Sequence, residues 1–139
     1  LDADRAKYRE KKVALIEKAL NLSPGNEHDA FWREYYPYEA ELKKIYDERY
    51  RIIRDYAANC ENMNNDIADN LALRSLKIRD DRNDLFRKYY NRIKKATSAI
   101  VAGQFLQIEN ELNLLSDLKI STETPILPRD VSPATVLKK

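Results

Sequence analysis

Glycine is almost missing from this chain. Only Gly25 and Gly103 occur, and the prolines fall at 24, 37, 125, 128 and 133. About a hundred residues therefore carry no breaker except Pro37 and Gly103, the signature of a helical protein. Cysteine occurs once, as Cys60, which excludes an internal disulfide and leaves only an intermolecular one open. Histidine also occurs once, as His28. The two sit at opposite ends of one expected helix, roughly 40 Å or more apart at 1.5 Å per residue, so a Cys–His pair is excluded within one chain. No apolar run approaches the roughly 20 residues needed to cross a bilayer. Neither sign of charge dominates: 35% of residues are charged yet the net charge is +2, which argues against a dedicated nucleic-acid binder. A glycine-rich phosphate loop is absent, and the carboxylates lie on mixed-charge helical faces suited to ion pairs four residues apart. No cofactor and no enzymatic activity are expected.

Turning to what is present, 139 residues suit one domain. The expected elements are helices over about 4–20, 29–58, 66–95 and 98–118, followed by a loosely ordered tail over 121–139. Two segments open helices alike. In the first, Phe31 follows Ser23 by eight residues; in the second, Phe105 follows Thr97 by eight. Ser23 can cap the second helix with Pro24 in its first turn, where a missing N–H costs nothing. A cap for the third helix is expected among Asn64, Asn65 and Asp66. Pro37 should kink the second helix without ending it.

The stripes follow from 100° per residue. Leu15, Ile16, Ala19 and Leu20 face inward on the first helix; Phe31, Tyr35, Tyr38, Leu42, Ile45, Tyr46, Ile52, Ile53 and Tyr56 on the second. Ile67, Leu71, Ile78, Leu85, Tyr89, Ile93 and Ala96 do so on the third. Val101, Phe105, Ile108, Leu112 and Leu115 alternate spacings of four and three, a packing seam for the fourth. The middle helices, at about 45 Å each, outrun their shorter partners, so the fold should be an elongated all-α hairpin with part of its inner face left for a second copy or a client.

Candidate binding residues follow. Tyr36, Tyr50 and Tyr90 lie off the stripes, and tyrosine suits partly wet contact surfaces. Arg49 and Arg82 stand where apolar residues are expected; each needs a partner or water. With the turn centred near residues 61–62, Arg82 falls opposite Glu41 and Leu42. Either Glu41 or Glu109 pairs with the arginines, or both arginines line an open face that meets clients. Leu73 and Leu76 point away from the inner face, towards the first helix or a dimer contact. The basic run over residues 87–95 fits a helix C-terminus. Cys60, Met63 and Asp66 adjoin at the hairpin tip, but a stable metal site wants three or four ligands and no second Cys or His is in reach.

The order of these features resembles the Spy/CpxP-like periplasmic superfamily marked by LTxxQ motifs. It is most similar to proteobacterial secreted helical proteins with an AFW…FLQxEN pattern. Leu20, Leu22, Ser23, Pro24, Ala30, Phe31 and Trp32 match the first block; Ala102, Phe105, Leu106, Gln107, Glu109, Asn110 and Leu112 match the second, and the stretch KISTETPILP looks like that group's ending. Asn26 stands where the LTxxQ glutamine would fall, and the second block lacks the Leu-Thr/Ser-Pro opening. These motifs mainly cap and pack helices. The resemblance implies a periplasmic protein freed of its signal peptide, which would account for a start at Leu1, as deliberate trimming would too. It implies a four-helix, hairpin-centred fold, often a cradle-shaped dimer, with ATP-independent chaperone activity or a stress-sensing accessory role. Protein clients or one envelope partner are the expected ligands. Metal-sensing relatives share the fold, but their histidine and methionine ligands are not in this chain.

Overall fold

The computed structural model describes residues 2–129, so most of the expected loose tail, residues 130–139, lies outside the described residues. The fold is all-α. Helix α1 spans Asp2–Leu20, α2 Asn26–Asn59, α3 Asn65–Ala96 and α4 Ala99–Glu123, with a short 3-10 turn over Cys60–Asn62 between α2 and α3. No β-strand occurs among the described residues.

Side-chain partners set the register. Arg92, Lys88 and Arg74 of α3 meet Glu34, Glu41 and Asp55 of α2, which makes the pair an antiparallel hairpin. Glu109, Asn113 and Asp117 of α4 meet Tyr38, Tyr46 and Arg49 in ascending order, so α4 runs parallel to α2. Glu17, Lys12 and Arg5 of α1 meet His28, Glu39 and Asp47, so α1 runs against α2. Consecutive helices thus alternate in direction, an up-and-down bundle.

The caps differ from expectation at two of three helix starts. Asn64 does cap α3, its side chain accepting from the Ile67 amide at 2.9 Å. Ser23 does not cap α2: the helix begins later, behind Gly25, whose φ of 150° turns the chain and which has no side-chain cap bond. Pro24 lies in that turn rather than in the helix. Nor does Thr97 cap α4; its hydroxyl donates back to the Ile93 carbonyl at 2.7 Å, and Ser98 accepts from the Val101 amide instead. Pro37 lies inside an unbroken α2. At the other end α4 continues to Glu123, taking in the first residues expected in the tail.

The core divides in two. Ile16, Leu20, Phe31, Trp32, Tyr35, Tyr38, Leu42, Leu85, Tyr89, Ile93, Val101, Ala102 and Phe105 form the larger cluster, where all four described helices meet. Phe105 packs edge-on to Tyr38 and Tyr35, with ring centroids 5.0 and 6.1 Å apart. Towards the hairpin tip, past the contact of Arg5 with Tyr50, Ile52, Leu71 and Ile78 form a smaller buried group among the described residues. On α1 the inward stripe is Lys12, Ile16 and Leu20, while Leu15 is 47% exposed. Ala19 and Ala96 also face solvent.

Candidate functional site

The side of α4 that meets the hairpin changes character along its length. Val101, Ala102 and Phe105 begin it as apolar core, and Glu109, Asn113 and Asp117 continue it as a polar ladder. Each rung finds a partner on the hairpin. The carboxylate of Glu109, fully buried, accepts from Lys12 at 2.8 Å, from the Tyr35 hydroxyl at 3.1 Å and from the Tyr38 hydroxyl. Lys12 also pairs with Glu39, which lies 2.9 Å from the same Tyr35 hydroxyl, so the one phenolic proton is shared between the two carboxylates. Burial pushes the Glu109 carboxyl up, and Lys12 and Tyr38 offset this in part. Burial would lower Lys12, but Glu109 and Glu39 outweigh it, so the ammonium is held. Burial beside these carboxylates drives the phenols of Tyr35 and Tyr38 far up; they act as donors only. The Tyr46 hydroxyl donates to Asn113, whose buried amide nitrogen has no partner among the described residues.

Further along, Arg49 and Arg82 converge on Asp117 rather than on Glu41 or Glu109. Arg49 donates to it at 2.8 Å, and Arg82 at 2.9 and 2.8 Å through both oxygens. The two guanidinium side chains are only 15% and 14% exposed, so they lie under α4 and not on an open face. The acceptor differs because the turn sits about two residues later than expected, which brings Arg82 opposite Tyr46. Burial pushes the Asp117 carboxyl up, but Arg82, and then Arg49, overcome this and hold it below the usual range. Its stabilisation is therefore present above the ordinary aspartate pKa and lost as pH falls through the lowered value. Asp117→Asn should destabilise the chain by about 1–2 kcal/mol at neutral pH, a figure discounted because the carboxylate is over a third solvent-exposed. The gap to wild type should close in acid; urea titrations across pH check this.

With α4's polar side inward, its leucines face out. Leu114, Leu115 and Leu118 are 58%, 64% and 60% exposed, and Leu73 and Leu76 of α3 are 57% and 53%. This corrects the seam read from spacing: Val101 and Phe105 belong to it, and Leu115 does not. Leu73 and Leu76 are not covered by α1.

The tyrosine candidates are placed apart. Tyr36, 57% exposed, leans on Trp32 with ring centroids 5.5 Å apart and lines an open groove of about 630 Å³ between α1 and α2. Ala6, Val13 and Ala40 form its apolar wall, with Arg9, Glu10, Glu39 and Lys43 around it. Tyr50 lies beneath the Arg5 guanidinium, 4.7 Å from the ring. Tyr90 packs partly against the core on the other side of the hairpin, with the Lys94 ammonium 5.3 Å away. Tyr36 and Tyr50 therefore share the α1 side of α2, while Arg49 and Arg82 lie inside and Tyr90 elsewhere. Of the motif residues, Phe31, Trp32, Phe105 and Glu109 are buried and Gln107 is exposed.

His28 bridges to Glu17 at 2.6 Å and to Asp29 at 3.2 Å, and these hydrogen bonds, Asp29's first, raise its pKa. No group of three or more His, Cys, Asp or Glu residues able to hold a metal exists among the described residues. No described helix is long and apolar enough to cross a membrane. Comparison with family models, with curated proteins and with solved structures returned no match for this chain.

Proposed function

We propose that this chain is a non-enzymatic binding protein that holds partly unfolded polypeptide on its outward apolar surface. The observation that carries this reading is the orientation of α4, which buries Glu109 and Asn113 while leaving Leu114, Leu115 and Leu118 in water. A leucine gains about 1.5–3 kcal/mol on full burial, so an exposed group of them favours apolar ligands. The expected hairpin-face mechanism is revised accordingly: Arg49 and Arg82 hold the bundle together, and clients meet the outer leucines and the exposed Tyr36 and Tyr50. The resemblance to Spy/CpxP-like proteins supports an ATP-independent chaperone or envelope-stress accessory role in the periplasm.

Light scattering of a chemically denatured reporter enzyme tests this. Wild-type protein at several-fold molar excess should suppress aggregation. The triple variant Leu114→Ser, Leu115→Ser, Leu118→Ser should lose most of that suppression with little change in thermal midpoint, because all three side chains are already exposed. No suppression by the wild type would sink the proposal.

A second reading, an adaptor for one defined envelope partner, is favoured by the groove beside Tyr36, which has a definite shape and mixed charge. It predicts one stoichiometric complex that Tyr36→Ala weakens and the leucine variant leaves intact.

A further inference from the structure

We propose that His28 is a proton-operated clasp between α1 and α2, which closes the joint between these helices in acid and loosens it as pH rises past neutrality. The placement of its partners carries the idea. Glu17 lies in the last turn of α1 and His28 in the first turn of α2, on either side of the link over residues 21–25. Each stands at the unfavourable end of its own helix, because a helix C-terminus repels an anion and a helix N-terminus repels a cation. Facing each other, with Nε2 2.6 Å from the Glu17 carboxylate, they offset both repulsions. Nδ1 lies 3.2 Å from the Asp29 carboxylate. An imidazole with an acid at each nitrogen needs two N–H groups to satisfy both. The neutral ring has one, and turns a lone pair towards the other acid. No further charged side chain bonds to the ring among the described residues, so these two carboxylates decide its behaviour.

The clasp matters because α1 is fastened to α2 at few points. Its described ion pairs are Glu17 with His28, Lys12 with Glu39 and Arg5 with Asp47. Of the three cations, only an imidazole changes charge within the physiological range. The sign follows from the partners. Hydrogen bonds to Asp29 and Glu17 favour the charged ring, so His28 holds its proton more firmly in the fold than in the unfolded chain. Its contribution is full below the ordinary histidine pKa and is lost as pH rises through the raised value. Because the pair is near the surface, the effect falls on local opening of the joint rather than on global unfolding.

His28 is the only histidine, so nuclear magnetic resonance follows its titration as a single curve. The midpoint should lie above the ordinary histidine value, and Glu17→Gln should lower it. A midpoint that Glu17→Gln leaves in place overturns the clasp. Amide exchange over residues 18–21, the last of which donates to the Glu17 carbonyl at 3.0 Å, reads the joint itself. The comparison at each pH is with His28→Gln, which keeps a side-chain donor but cannot gain a charge. Wild-type amides should be about two- to fivefold better protected than the variant's at about pH 5, with the ratio falling to about one by about pH 9. A ratio that is constant across this range, at one or at any other value, overturns the proposal. Far-UV circular dichroism should give all three chains the same helix content.

Discussion

Glu109→Ala is expected to lower the free energy of unfolding by about 3–5 kcal/mol, a large part of the roughly 5–15 kcal/mol that a domain has. Urea denaturation followed by far-UV circular dichroism measures it. Three donors converge on that carboxylate, and alanine leaves Lys12 with Glu39 alone while stranding the Tyr38 hydroxyl. An unpaired buried donor adds a further penalty of about 1–3 kcal/mol. Glu109→Gln keeps an acceptor and should lose less. The pH dependence identifies the cause. Because burial raises Glu109, its ionised form weakens the fold, and stability from this group is gained as pH falls through its raised pKa. Removing the compensating charge by Lys12→Met should therefore be most harmful at neutral and alkaline pH and progressively milder on acidification. In the wild type Lys12, held above its ordinary value, contributes stability that is lost only as pH rises through its own raised pKa.

The second large effect is expected at Phe105. Its ring is 1% exposed and meets Phe31, Tyr35 and Tyr38 at centroid distances of 6.4, 6.1 and 5.0 Å. Phe105→Ala removes α4's main apolar anchor and leaves a cavity walled by stiff aromatic rings that collapse poorly, for a loss of about 3–5 kcal/mol. Phe105→Leu should cost on the order of 1–2 kcal/mol. Unlike the losses around Glu109, these should not vary with pH, so a single denaturation series at three pH values separates packing from charge.

The helices were legible in the sequence because breakers are so few, and the aromatic stripe of α2 was legible because its period is regular. The inward face of α4 was only half legible. Val101 and Phe105 read correctly, but the spacing then continues through Leu112 to Leu115, whereas the structure continues through Glu109, Asn113 and Asp117. Polar side chains are assigned to water by any apolar pattern, unless their partners are known. Those partners were visible as oddities elsewhere: Tyr35, Tyr38 and Tyr46 on an otherwise apolar stripe, and Arg49 and Arg82 within it. Taken as donors in need of acceptors, they point to acids on a neighbouring helix. Lys12 carried the same signal, since it lies four and eight residues before Ile16 and Leu20 and so on their face of α1, but the stripe was read from its apolar members alone. The capping errors have a local cause. Ser23 and Thr97 are good caps by type, but Gly25 and Ser98 sit where the chain direction changes.

The bundle is of uneven thickness: α1 reaches the level of Asp47 and Tyr50, and past that point α2 and α3 share a smaller apolar centre. Cooperative opening need not involve the whole molecule at once. The turn-side portion, resting on Ile52, Leu71 and Ile78, can exchange its amide protons by a local excursion while the aromatic end stays shut. Such an excursion would loosen the stretch that bears Leu73 and Leu76 without dismantling the rest, giving this rod a supple head on a rigid handle.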